Sequence, residues 1–311
     1  MKANITTLFL LITIMVSCNR SQNKTLPENT GNHKEIILVI EDKLWEGKKG
    51  EILREIFEKE IAGLLQSEKI FNLIQLNPKE FTRFFQTHKN IMVVSSDVKD
   101  SYSKDKWANG QTVFYLHSDS KEIDFIKSCN KTCSFLNRKE LENIKYNYEK
   151  SHYKKARLYI KEEFGFELFL PTEYTVSLKK EGLFISDFQS SNEKQDLLKY
   201  IIVYEFEPAD YDLQEEIMSR TDSILKQYFK GKGAEGSYVQ IDNRYFPPIE
   251  DNGIYRGSWR IENEFMGGPV MGGPIIIKFR YIEDKVVVSL GIVFHPNENK
   301  RDFVRTFEAI L

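Results

Sequence analysis

Cys18 is the residue whose chemistry is most sharply specified by its neighbours. Lys2 precedes an apolar stretch from Leu8 to Val16, and Met15-Val16-Ser17-Cys18 sets a small residue before a cysteine, the pattern at which a signal peptidase cuts and the thiol is acylated. The stretch is about half of the ~20 residues that cross a bilayer, so residues 1–17 read as a removable leader rather than a transmembrane helix. Several acyl chains on Cys18, palmitate among them, would anchor the mature chain stably where one alone is marginal. The expectation is a protein partnered to the membrane through N-terminal lipid and located in the cell envelope.

Other groups are weaker candidates for chemistry. Cys129 and Cys133 stand four apart within one apolar helical stripe. They could be buried thiols, a disulfide at a helix break, or redox or metal-binding groups, although helical spacing of about 5–6 Å at Cβ exceeds the roughly 3.5–4.5 Å that a bridge needs. His33, His88, His117, His152 and His295 are scattered, so neither a metal nor a cofactor is expected. The run Gly231-Lys232-Gly233-Ala234-Glu235-Gly236 has dinucleotide-fingerprint spacing but follows a helix and precedes a strand, the reverse of the order that chemistry requires. Arg220-Thr221-Asp222-Ser223 falls within one helical turn, which spreads its side chains around the helix. No residue is assigned a catalytic role.

Met-Gly-Gly-Pro occurs twice, at Met266-Gly267-Gly268-Pro269 and Met271-Gly272-Gly273-Pro274. Glycine pairs allow unusual backbone and close approach, and each proline fixes φ and removes a donor. The segment reads either as a wide hairpin connection or as a binding loop to which Phe265, Met266 and Met271 add apolar contact, with Trp259 on the strand before it.

The 44 Lys and Arg against 46 Asp and Glu leave no bias toward a polyanion, so nucleic acid is not an expected partner. From Asn19 to Lys34 almost no apolar residue occurs, and 18–34 read as a flexible tether. A first lobe of mixed α/β type is expected over 35–165. Its strands lie at Ile36–Ile40, Phe71–Leu76, Ile91–Val94 and Gln111–His117. A helix carries Ile52 to Leu65, a short one runs from Pro78 to Phe85, and a largely helical segment from Glu122 to Phe164 divides near Asn137.

After Gly165 the texture becomes that of an antiparallel sheet, and 166–311 form a second lobe with packed helices. Strand-like pieces begin at Phe166, Tyr174, Leu183, Tyr200, Tyr238, Gly253, Ile275 and Val286, with helices at Leu213–Phe229 and Lys300–Leu311. The fold class is therefore α+β, in two lobes. On the last helix Arg301, Arg305 and Glu308 share one side and Phe303, Phe307 and Ile310 another, so the charges read as a solvated face or a contact surface.

Several pieces together resemble an uncharacterised family of Bacteroidota lipoproteins classified only as a domain of unknown function. They are Trp45-x-Gly-x-x-Gly50, Arg220-Thr221-Asp222-Ser223, Gly236-Ser237-Tyr238 and Arg256-Gly257-x-Trp259, then Glu262-Asn263-x-Phe265-Met266-Gly267-Gly268-Pro269 and Lys300-Arg301-x-Phe303-Val304-Arg305-x-x-Glu308-Ala309-Ile310. The second Met-Gly-Gly-Pro departs from that pattern. The resemblance implies an envelope address and no activity. It also implies attachment to the outer membrane facing the periplasm, because Asn19–Lys24 lacks the acidic cluster that surface-exposed relatives tend to carry after the lipid cysteine.

The leading expectation is a noncatalytic binding or interaction module for an envelope protein or cell-wall component. Its contacts would come from Phe265–Pro274, Trp259 and the Arg301/Arg305/Glu308 face. The alternatives are a periplasmic small-ligand carrier with Trp259, Tyr255 and Phe265 lining a pocket between the lobes, and a hydrolase.

Overall fold

A computed structural model describes residues 25–190, 196–209, 212–230, 236–263, 271–296 and 298–311. The leader, Cys18 and the first Met-Gly-Gly-Pro lie outside these residues. Two compact units emerge, one made of the chain up to Asp42 with Ile74–Asp119, the other of Lys43–Leu73 with Ser120–Leu311.

The first unit is a five-stranded sheet in the order β2-β1-β3-β5-β4, with β1 Glu35–Val39, β2 Asn72–Leu76, β3 Asn90–Ser95, β4 Ser101–Lys104 and β5 Thr112–His117. Strands β1, β3 and β5 are parallel, in register at Ile37–Ile91 and Ile91–Val113, while β4 runs antiparallel at the edge. Parallel strands are normally buried on both faces, which is why β1 is an unbroken apolar run. One face carries Ile37, Val39, Ile91 and Val113 against Phe81, Phe85 and Trp107. Part of the expected tether belongs to this unit: Thr30 N–H donates to Thr87 O at 2.9 Å, and Asn109 N–H to Pro27 O at 2.8 Å. Gly31, at φ +82°, lies where a Cβ would enter the His88 ring.

The second unit has three layers. Its antiparallel sheet runs β10-β11-β12-β13-β8-β7-β6, with β9 also paired to β11. The strands are β6 Thr175–Lys180, β7 Leu183–Gln189, β8 Leu198–Phe206, β9 Ser237–Ile241, β10 Ile249–Asp251, β11 Ile254–Asn263, β12 Gly272–Ile282 and β13 Lys285–Phe294. Numbering only the helices longer than one turn, α1 is Lys48–Phe57, α2 Glu122–Lys150, α3 Lys154–Phe164, α4 Leu213–Tyr228 and α5 Arg301–Ile310.

Alternation along the strands sends side chains to two separate cores. Ile202, Tyr204, Ile275, Ile277, Leu290 and Ile292 meet Ile217, Met218 and Leu225 of α4. From the opposite face Ile201, Val203, Ile276, Val287 and Val293 meet Ile160 and Phe164 of α3 and Val304, Phe307 and Ile310 of α5.

Several boundaries differ from the sequence reading. Helix α1 stops at Phe57, so Ile61, Leu64 and Leu65 sit in a loop rather than on a helix, and an isolated bridge between Glu60 and Lys69 closes that loop. Helix α2 is continuous for 29 residues, and the break falls at Ser151–Tyr153 instead of Asn137. Its buried stripe is Phe125, Cys129, Thr132, Leu136 and Glu140, with Ile123 facing out. Phe166–Leu170 is not a strand.

The expected lobe of 35–165 is divided, because α1 and α2 hold to each other and to the second unit. Lys49 Nζ donates to Ser120 O at 2.9 Å and lies 4.1 Å from the Phe125 ring, and Cys133 Sγ reaches Ile56 O at 3.6 Å. Cys129 and Cys133 are not joined in a disulfide, and burial pushes the Cys133 thiol up to about 11, leaving it unreactive at neutral pH.

Helix α5 approaches the sheet over the one position on β13 that has no side chain. A Cβ on Gly291 would come within 2.5 Å of the Phe307 ring. Gly291→Ala is expected to cost about 1–3 kcal/mol in equilibrium urea unfolding by overpacking. Adding Phe307→Leu should recover part of that loss, whereas strictly additive costs would mean the two positions are not in contact.

Candidate functional site

The second Met-Gly-Gly-Pro opens β12 rather than a free loop, and it forms one wall of a cavity of about 310 Å³. The other walls are Leu64, Leu65, Gln66 and Glu68 of the 58–70 loop, Phe294 and Pro296 after β13, and Lys300 at the entry to α5. Leu64, Leu65, Met271, Pro274, Phe294 and Pro296 make most of the lining apolar, with Gln66, Glu68 and Lys300 supplying the polar part.

The two glycines act by their missing side chains. In the register Trp259–Gly273 and Arg260–Gly272, a Cβ on Gly272 would stand 2.6 Å from Trp259 O, and one on Gly273 would stand 2.1 Å from Val293 O. Neither has a positive φ, so close backbone approach is what these positions require. The approach at Gly273 also leaves room for the Trp259 indole N–H to donate to Val293 O at 3.2 Å. Trp259 is thereby a core residue facing α4, and Tyr255 is in the same core; neither lines the cavity.

Arg301 and Arg305 correct the expectation of a charged contact face. Arg301 is 3 % exposed, Arg305 4 %, Glu308 2 % and Glu140 4 %. Glu140 on α2 accepts from both terminal nitrogens of Arg301, at 2.8 and 3.0 Å, and from Arg305 Nε at 3.1 Å. Arg305 also donates to Glu308, whose other oxygen accepts from Arg256 Nε at 2.5 Å, and Arg256 reaches Asp251 on β10 at 3.0 Å. The helix side opposite the sheet is thus covered by α2 and by the end of β11, and its charges are neutralised by partners distant in the chain.

The same chain of charges places the cavity's polar wall. Helix α5 has no side-chain cap of its own. Instead the Glu68 carboxylate accepts from Lys300 N–H at 2.5 Å and Arg301 N–H at 2.8 Å, satisfying two of the donors a helix start leaves open and matching its positive end. Arg301 Nε holds the loop from the other side through Ile70 O at 3.0 Å. The loop turns at Gly63, φ +82°, where a Cβ would meet Arg256 O at 2.4 Å.

Lys300 is 8 % exposed and donates to Gln66 Oε1 at 2.8 Å and to Glu298 O, both neutral oxygens. Burial lowers its pKa by more than the nearby Glu68 and Glu298 raise it. Leu64, Leu65, Glu68, Phe294 and Lys300 were not expected as site residues. The repeated motif was the one local signal, and it marked a single wall. Phe265, Met266, Gly267, Gly268 and Pro269 lie outside the described residues.

A second, larger concavity of about 750 Å³ lies along α4 and β9 and contains Asp212, Glu215, Asp222, Ser223, Lys226 and Asn243. Asp222 and Ser223 belong to the Arg220–Ser223 cluster, whose other two members turn elsewhere: Thr221 bonds the buried Tyr204 hydroxyl at 2.8 Å, and Arg220 pairs with Glu216. Asp212 caps α4 through Gln214 N–H at 2.8 Å, and Asp222 accepts from Ile241 N–H at 2.6 Å. Burial raises the Asp222 pKa, partly offset by that bond. Both carboxylates are committed to backbone and hold structure.

Two family models cover most of the chain. One domain of unknown function, DUF8532, matches residues 29–149, and another, DUF4837, matches residues 152–311, in agreement with an uncharacterised family. The models meet near Ser151, where α2 ends, rather than at Gly165. No curated protein matches. The solved structure of an uncharacterised protein from Rhizobium leguminosarum is 9% identical over 50% of this chain and 72% of that one, with a TM-score of 0.15.

Removing one charge from the buried chain strands the others. Glu140→Gln is expected to lower stability by roughly 3–5 kcal/mol, because Arg301 and Arg305 lose their shared counter-charge. Added salt should leave that loss nearly unchanged, as screening acts weakly on buried pairs. A loss under about 1 kcal/mol in urea titration would place these arginines in solvent.

Proposed function

The chain belongs to the DUF4837 family, a domain of unknown function, and from that premise we propose a noncatalytic binding module of the cell envelope, facing the periplasm and held by lipid on Cys18, whose ligand enters the cavity beside Met271–Pro274. One observation carries the reading: the motif most distinctive in the sequence forms a wall of a largely apolar cavity with a few convergent polar groups. Its size of about 310 Å³ is at the small end of ligand sites.

Of the two noncatalytic expectations, the small-ligand one gains support. The protein-contact reading relied in part on the Arg301/Arg305/Glu308 face, and that face is buried. The site argued for differs from a pocket lined by Trp259 and Tyr255, since those rings fill a core. Hydrolysis gains little, as Glu68, Asp212 and Asp222 already accept backbone hydrogen bonds.

The envelope address rests on the leader and Cys18. Among the described residues no helix is long and apolar enough to cross a membrane. Growth with an alkynyl fatty acid is expected to label the wild type and leave Cys18→Ala unlabelled and released from membranes; equal labelling of both would remove the anchor.

For the cavity, thermal melting with a neutral apolar probe such as octanol should raise Tm, equivalent to about 2.7 kcal/mol at a hundredfold excess over Kd. Leu65→Trp, at an exposed position on the cavity wall, should abolish the shift. An unchanged shift in that variant would put the ligand elsewhere.

A further inference from the structure

The polar wall of this cavity says which chemical class of ligand it suits. Lys300 forms no ion pair among the described residues, although it is buried. Two of its three N–H donors go to Gln66 Oε1 and Glu298 O, leaving one. The arginines of the neighbouring chain of charges are matched: Arg301 and Arg305 by Glu140, Arg256 and again Arg305 by Glu308. An ammonium removed from water and hydrogen-bonded only to neutral oxygens is costly where burial outweighs the attraction of the nearby Glu68 and Glu298, and an incoming negative charge would relieve it.

Among the described residues Glu68 is the one carboxylate in the cavity lining. Its oxygens are turned to the Lys300 and Arg301 amides at the positive end of α5, so its charge is offset where it stands. The remaining walls, Leu64, Leu65, Met271, Pro274, Phe294 and Pro296, offer nothing to a second charge or to a polyhydroxylated body.

We propose that the cavity binds an amphipathic monocarboxylate, its aliphatic chain against Met271 and Phe294 and its carboxylate on the free N–H of Lys300. An apolar cavity of about 150 Å³ holds one benzene, so a space of about 310 Å³ suits a body of roughly eight to ten heavy atoms, the size of octanoate. This rests on the cavity being the binding site and adds the sign of the ligand's charge.

Calorimetric titration of the intact protein with octanoate and with octanol separates the two claims. The expected result is octanoate at least about tenfold tighter than octanol at neutral pH, with Lys300→Met bringing the two within about threefold of each other. Equal affinities in the wild type would overturn the anion preference while leaving the cavity as the site; no binding of either would overturn both. A preference retained in a folded Lys300→Met protein would also overturn it.

Should that variant fail to fold, the wild type alone decides. Burial lowers the Lys300 pKa below that of a free lysine, so raising the pH from neutral to the ordinary lysine value of about 10.4 carries the side chain past the point where it loses its proton. The octanoate preference should shrink over that range, and a preference flat with pH would contradict Lys300 as its source.

Discussion

The second unit depends on a chain of buried charges that begins at Glu68 and comes out to the surface at Asp251. Arg256, Arg301 and Arg305 alternate with Glu68, Glu140 and Glu308, linking the 58–70 loop, α2, α5 and β11 through hydrogen bonds with few oxygens unused. Such a chain adds little over an apolar core of equal volume, since desolvation offsets most of the attraction. What it supplies is specification. A ten-residue helix is marginal in isolation, and α5 could pack its apolar stripe against the sheet in more than one position along its axis. The pairing of Arg301 and Arg305 with a single Glu140 selects one.

The candidate site follows from that selection. Once α5 is fixed, its uncapped start lies where the Glu68 loop can close it, and the same loop brings Leu64 and Leu65 over the first residues of β12. Gly272 and Gly273 let β12 press against Trp259 O and Val293 O, which leaves Met271 and Pro274 as the wall rather than as filling. Lys300 is carried into the cavity because it immediately precedes Arg301, whose place is already determined. The cavity is thus a consequence of how the terminal helix is held, and its buried Lys300 ammonium, bonded to two neutral oxygens, forms no ion pair among the described residues.

Much of the architecture was legible from local pattern. β-Branched runs located the inner strands of both sheets, and period-four spacing located α4 and α5, since these signals arise within one element. The short polar strands Ser101–Lys104 and Ile249–Asp251 carry no such signal and were missed. The charged side of α5 was misread for a reason of distance: amphipathic spacing says that Arg301 and Arg305 share a face, but Glu140 lies 161 residues away from Arg301 and Glu68 233. One clue was local. Glu140 falls four residues after Leu136 on the buried stripe of α2, a carboxylate at an apolar position, which is a sign that a cation must come to meet it. The leader and the first Met-Gly-Gly-Pro remain readings of sequence alone.

The most direct measurement of how Lys300 is used is a crystal structure of the full chain with octanoate. The carboxylate is expected within roughly 2.7–2.9 Å of Lys300 Nζ and the alkyl chain between Met271 and Phe294. A carboxylate turned to solvent with the chain bound in the groove of α4 and β9, or in no defined place, would contradict it.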